Sequence, residues 1–234
     1  MPKIVYWFGA VAALVLAFGI YLYFYSPTYV FRYQVTVEVS TPDGTKTGAS
    51  INEAIFERSK FMEVILAHPM TASDTSGEAI FVDLGRGRNI FLSLTAFGSK
   101  SPKARSFSEL LVSLYGLPWP ALRDDYTSMS AAIDRAQHLG PRTVPFDRLP
   151  LMVTFTDLNN PISFKPVDPQ HLDATFGHGY GLKSVILQGT QAATTEKIEK
   201  LLLWLPRLYK KALDGGPPTD RYPPLMISAS NFKR

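Results

Sequence analysis

The stretch that decides the fold is FRYQVTVEVS at residues 31–40, followed by TPDG at 41–44. Apolar Phe31, Tyr33, Val35, Val37 and Val39 alternate with polar Arg32, Gln34, Thr36, Glu38 and Ser40. A period of two predicts a strand with one buried face and one solvated face. In the four residues that follow, Pro42 presets φ, Asp43 bonds back to its own backbone, and Gly44 accepts a positive φ. The chain is therefore expected to turn and return from Thr45 to about Arg58, with Ala49, Ile51 and Ile55 sharing one face. An antiparallel hairpin over 30–58 is the seed of the fold.

Immediately before it, IVYWFGAVAALVLAFGIYLYFY runs from Ile4 to Tyr25 without a charge, an amide side chain or a proline. As a helix this run spans about 33 Å, enough for a bilayer core. Tyr6 and Trp7 at one end, and Tyr21, Tyr23 and Tyr25 at the other, suit the two lipid–water boundaries. The run exceeds the roughly 7–15 apolar residues of a signal peptide, and bulky aromatics occupy the positions where a signal peptidase needs small ones. A retained transmembrane anchor over 1–26 is expected. Lys3 precedes it and no Lys or Arg follows until Arg32, a bias that places the N-terminus in the cytoplasm and the rest outside. In a Gram-negative cell that means a single-pass protein of the inner (cytoplasmic) membrane with its bulk in the periplasm. Gly9, Ala13 and Ala17 recur every four residues, a small-residue stripe of the kind through which membrane helices self-associate.

Downstream, the pattern predicts further short elements. Phe61–Ala67 reads as a strand and 68–77 as a loop rich in Thr, Ser and Gly. Residues 78–84 and 90–94 read as a second hairpin around Gly85–Asn89. Ser106 or Ser108 caps a helix that Gly116 and Pro118 stop, and a second helix spans about 128–139 with Met129, Ala132, Ile133, Ala136 and Leu139 on one side. Leu151–Thr156 and Ile162–Lys165 form a third hairpin. Asp168 and Pro169 open a short helix to Phe176, and Leu182–Leu187 is a strand. A helix capped by Thr195 carries Ile198, Leu201, Leu202, Leu205, Leu208 and Leu213, broken or kinked at Pro206. The predicted class is thus α+β: a transmembrane helix, then an antiparallel-sheet-rich domain with several short helices over 27–216. A Pro-rich tail follows over 217–234, with Leu225–Ile227 as an edge strand.

Composition excludes several functions. With 46% hydrophobic residues the chain is globular rather than disordered, and a net charge of +4 is too even for a nucleic-acid binder. It has no cysteine, so disulfides, thiolate metal ligands and thiol nucleophiles are ruled out. No serine-hydrolase elbow, phosphate-binding glycine loop, zinc helix or calcium loop occurs. No cofactor is expected.

Several phrases resemble a Gram-negative family of single-anchor membrane proteins: TPDG-x-K-x-G-x-S at 41–50, GEAIFVDLGRGRNIF at 77–91, VTFTDLNNP at 153–161, VDPQHLDATFG at 167–177, LKSV at 182–185 and IEKLLLWL at 198–205. The resemblance covers about half of the domain, in order, and implies a periplasmic setting. It brings no activity, cofactor or catalytic residue. His178 and Leu203 stand where that family commonly has proline.

Two clusters remain as candidate chemistry. Asp157, Asn160, Asp168, His171, Asp173 and His178 combine carboxylates with imidazoles, which suits a metal site or acid–base pair. Structural roles explain the same residues better (a turn for Asp157 and Asn160, an N-cap for Asp168, an exposed helix face for His171 and Asp173, a Gly-rich loop for His178), and no metal site is predicted. Asp157, Asp168, His171 and Asp173 are kept as the catalytic candidates. From Gly85 to Ser108 no acid occurs, while Arg86, Arg88, Lys100, Lys103 and Arg105 do; ordinary solvated loops are the favoured explanation, and a patch for anionic headgroups or wall polymers is the alternative. Two functions fit: a binding or scaffold protein whose partners are the lipid bilayer and another envelope protein, or a periplasmic hydrolase with a site built from dispersed Asp and His residues.

Overall fold

The first strand, β1 (Thr28–Thr41), pairs antiparallel along its length with β2 (Gly44–Arg58) across the turn at Pro42 and Asp43. The computed structural model in which this is seen describes residues 11–21, 27–59, 71–96, 99, 101–119, 126–209, 211–213 and 227–234. Thr41 Oγ1 accepts from the Asp43 amide at 3.2 Å and donates to the Gly44 carbonyl at 2.7 Å. Gly44 sits at φ 106°, a conformation open to glycine and strained for other residues. The alternation of β1 holds: Phe31, Tyr33, Val35, Val37 and Val39 are each 0% exposed.

The return strand faces the other way from its apolar spacing. The register couples Phe31 with Ala54, Tyr33 with Asn52 and Val35 with Ser50, and directly opposed residues share a face. The inner face of β2 is therefore Ser50, Asn52, Ala54, Phe56 and Arg58, all buried. Ala49, Ile51 and Ile55 lie on the outer face.

Three more strands complete a five-stranded antiparallel sheet in the order β3-β2-β1-β9-β6. β3 (Thr71–Ser76) corrects the expectation of a loop there. Its sequence is polar, as an edge strand's can be, and pairing with Glu53–Arg58 of β2 holds it in place. The strand expected at 61–67 lies outside the described residues. On the other side, β9 (Gly181–Gly189) flanks β1, and the two-residue β6 (Arg142–Thr143) flanks β9.

A second antiparallel sheet has the order β4-β5-β7-β8, from β4 (Ile80–Gly85), β5 (Arg88–Leu92), β7 (Met152–Phe155) and β8 (Phe164–Pro166). It meets the first sheet so closely that a Cβ on Gly48 of β2 would stand 2.0 Å from the Phe81 carbonyl oxygen of β4. The hairpins expected at 78–94 and 151–165 are both present, which makes the molecule an α+β protein built on antiparallel sheets.

Helices fill in around them. The helix at 11–21 is α1. α2 (Phe107–Tyr115) is capped by Ser106 in a capping box with Glu109 and closed by Gly116 in the left-handed conformation. α3 (Tyr126–Gln137) buries Met129, Ala132, Ile133 and Ala136, whereas Leu139 lies beyond its end and is exposed. α2 covers the inner face of the large sheet, with Tyr115 5.5 Å from Phe31 and Phe107 5.8 Å from Tyr33 between ring centres. α4 (Leu172–Phe176) begins after Asp168, not at it: Asp168 Oδ1 accepts from the Gln170 amide at 2.9 Å and shapes the turn before the helix.

Two cores result. The first joins the inner face of the large sheet and α2 and α3 to one face of the small sheet, through Ile80, Val82, Ile90 and Leu92. The second lies on the opposite face of the small sheet, where Phe91, Val153 and Phe155 meet Ile198, Leu202, Trp204 and Phe232. The segment expected as one kinked helix from Thr195 is two short pieces, α5 (Ile198–Leu201) and a 3-10 turn at Leu205–Leu208. Thr195 does not cap it; Thr195 Oγ1 accepts from the Ile51 amide of β2. The first amides of the piece, at Lys197 and Ile198, donate to Glu78 Oε2 at 2.6 and 2.8 Å. The last eight residues, within the expected tail, seat Ile227, Ala229 and Phe232 in the second core. There Ala79 N donates to Phe232 O at 2.7 Å. Leu225 and Met226 lie outside the described residues.

Candidate functional site

The residues expected to form a catalytic or metal cluster are held mainly by local backbone. Asp157 Oδ1 accepts from the Asn159 amide at 2.9 Å, and Asn160 Oδ1 from the Ile162 amide at 3.2 Å, so both shape the β7–β8 turn. His171, Asp173 and His178 are exposed on and beside α4. Among the described residues no three His, Asp or Glu side chains gather closely enough to hold a metal ion.

Of that set, Asp168 lines a cleft. The cavity has a volume of about 190 Å³ and lies between the 146–152 and 166–170 segments. A 3-10 turn at Phe146–Arg148 makes one wall. Leu149, Leu151 and Met152 lead from that turn into β7, while Val167 is pinned by its amide donating to Met152 O at 2.8 Å. Pro150, Pro166 and Pro169 stiffen the rim, and Ser99, Ser101, Asp147 and Asp168 supply its polar groups. Ser101 Oγ donates to the Asp147 carbonyl at 2.5 Å, and Lys103 Nζ stands 3.0 Å from Asp147 Oδ2. A wider recess next to it shares Phe146, Asp147, Pro169 and Gln170 and extends to Leu182.

This lining offers apolar surface, two carboxylates and two serine hydroxyls, but none of its residues is a histidine or lysine that would activate a serine. Phe146 and Asp147 carry no sequence signal, since a three-residue 3-10 turn has no periodicity to read.

The basic stretch is divided by the fold. Arg86 pairs with Asp43 at 3.1 Å, and Arg88 donates to Tyr180 Oη at 2.5 Å and stacks on its ring. Both stand at the hairpin tips, far along β1 from Thr28. Lys103 and Arg105 lie elsewhere, beside Arg148. Lys100 falls outside the described residues. Among the described residues the groups with displaced titration are two buried tyrosines away from the cleft. Burial pushes the Tyr115 phenol up, partly offset by the Arg142 guanidinium, and burial pushes Tyr33 up further still. Comparison with known proteins finds no matching family model, no matching curated protein and no matching solved structure.

Proposed function

We propose that this chain is a membrane-anchored binding or scaffold protein, held in the inner membrane by its N-terminal segment with the two-sheet domain in the periplasm. The observation that carries the reading is α1. Its side chains are apolar all round and lie outside both cores, with Leu14 70% and Leu16 67% exposed. A helix apolar on every side needs an apolar environment, and the described part of it is the middle of an uncharged run from Ile4 to Tyr25. Among the described residues no helix is long and apolar enough to cross a membrane; the proposed span includes the flanking residues. Binding is favoured over hydrolysis by the cleft at Asp147 and Asp168, whose lining has apolar and acidic groups without an activated nucleophile. Contact between two spans through Gly9, Ala13 and Ala17 belongs to the same proposal.

Alkaline phosphatase fused after Arg234 tests the topology. The fusion is expected to be active in whole cells and to stay with membranes after carbonate washing. An inactive fusion, or one released by carbonate, overturns the reading.

A further inference from the structure

Arg105 and Arg148 come from separate segments, yet the Arg105 amide donates to the Arg148 carbonyl at 3.0 Å and fixes the two side by side. With Lys103, Glu109 and Ser113 they line a cleft of about 270 Å³, smaller than the roughly 300–1,000 Å³ of pockets for drug-sized ligands. The acids nearby are already engaged. Glu109 Oε2 accepts from both the amide and the hydroxyl of Ser106 at 2.8 Å. Asp147, in the middle of the 3-10 turn, is paired with Lys103. Arg105 Nη1 donates to the Ala104 carbonyl at 2.8 Å, which positions its guanidinium while leaving Nε and Nη2 uncommitted among the described residues. The Arg148 guanidinium has no acceptor among them. Two adjacent, planar donor forks with spare N–H groups match the oxygens of a phosphoryl group.

We propose that this cleft binds a phosphoryl group, carried either by a lipid headgroup or by a soluble phosphate compound. The inference does not rest on the membrane reading, because its probes are soluble. Full-length protein in a phosphate-free maltoside detergent is titrated with inorganic phosphate and, separately, with dihexanoyl phosphatidylglycerol, followed by calorimetry. Saturable binding of at least one probe is expected. Each arginine makes charge-assisted hydrogen bonds, so R148Q should weaken binding about tenfold, and R105Q/R148Q should weaken it further, by about a hundredfold. R86Q, at the remote hairpin tip, should leave binding unchanged. Binding of phosphate identifies a soluble phosphoryl ligand, and binding of the lipid alone identifies a headgroup. If neither probe saturates, or if R148Q binds as the unaltered protein does, the proposal fails. R148Q removes no described side-chain contact, so it serves even if the double variant does not fold.

Discussion

The two sheets of this protein solve burial differently. In the large sheet each strand has one inner and one outer face, so β1 reads as a strict alternation and its five inward residues could be named from spacing alone. The small sheet is covered on both faces: Ile90 and Leu92 face the first core, Phe91 the second. β7 is buried at every position from Met152 to Phe155. A strand buried on both sides loses the period that marks its faces. Its partner layer is also remote in sequence, since Phe91 and Phe155 meet Trp204 and Phe232. One-sided burial is written locally; two-sided burial depends on chain that arrives later.

That contrast gives the largest expected effect. Phe232 is fully buried and touches the rings of Phe91, Phe155 and Trp204, 5.6–6.2 Å away between centres. Phe232→Ala should cost about 3–5 kcal/mol, lowering the melting temperature of the detergent-solubilised protein by roughly 10 °C. A matched change in the first core, Val37→Ala, should shift the same single transition. Two separate transitions, with Phe232→Ala moving only one, would show that the layers unfold independently and would break the picture of one cooperative domain.

The junction between the sheets gives the next effect. Gly48→Ala would place a methyl carbon 2.0 Å from the Phe81 carbonyl oxygen, and both groups belong to strands that cannot step aside cheaply. A loss of about 2–3 kcal/mol is expected. Gly140→Ala, where nothing lies within 4 Å, should be neutral or slightly stabilising through the unfolded chain. Equal melting temperatures for these two variants would mean that the sheets meet elsewhere.

Much of the fold was legible because its signals are local. The β1–β2 turn, the Ser106 capping box and Gly116 each specify their conformation within four residues. What was missed depends on partners distant in sequence. Thr71–Ser76 is a strand only because β2 offers it an edge. Asn52 is inward because it bonds across 26 residues: Glu78 N donates to its Oδ1 at 2.9 Å, and its own Nδ2 donates to Glu78 O at 3.1 Å. α5 looked like a Thr-capped helix, but its acceptor is Glu78, more than a hundred residues earlier. The candidate site follows the same rule. Asp168 was legible as a polar residue beside proline, yet Asp147, Ser101 and Arg148 become neighbours only through the turn at 146–148.

The smallest effect tests the interior of the large sheet. Tyr33 is the fully buried phenol on the inward row of β1, and its Oη, like Thr75 Oγ1, is buried without a hydrogen-bond partner among the described residues. Thr75 pulls the phenol's titration slightly down without completing a hydrogen bond of normal geometry, while burial pushes it strongly up. A free tyrosine titrates near 10. Because the folded phenol holds its proton to higher pH than the unfolded one, its contribution to stability is fully present below about pH 10. It is lost as pH rises from there through the folded value. Tyr33→Phe removes an unpaired buried hydroxyl, so at pH 7 it should change stability by no more than about 1 kcal/mol, in the stabilising direction. Between pH 10 and 11 the variant should fall off less steeply than the unaltered protein, which still carries the titrating group. Parallel denaturation curves for the two across that range would show that Tyr33 is already accessible to hydroxide in the folded state, and with it the inner face of β1.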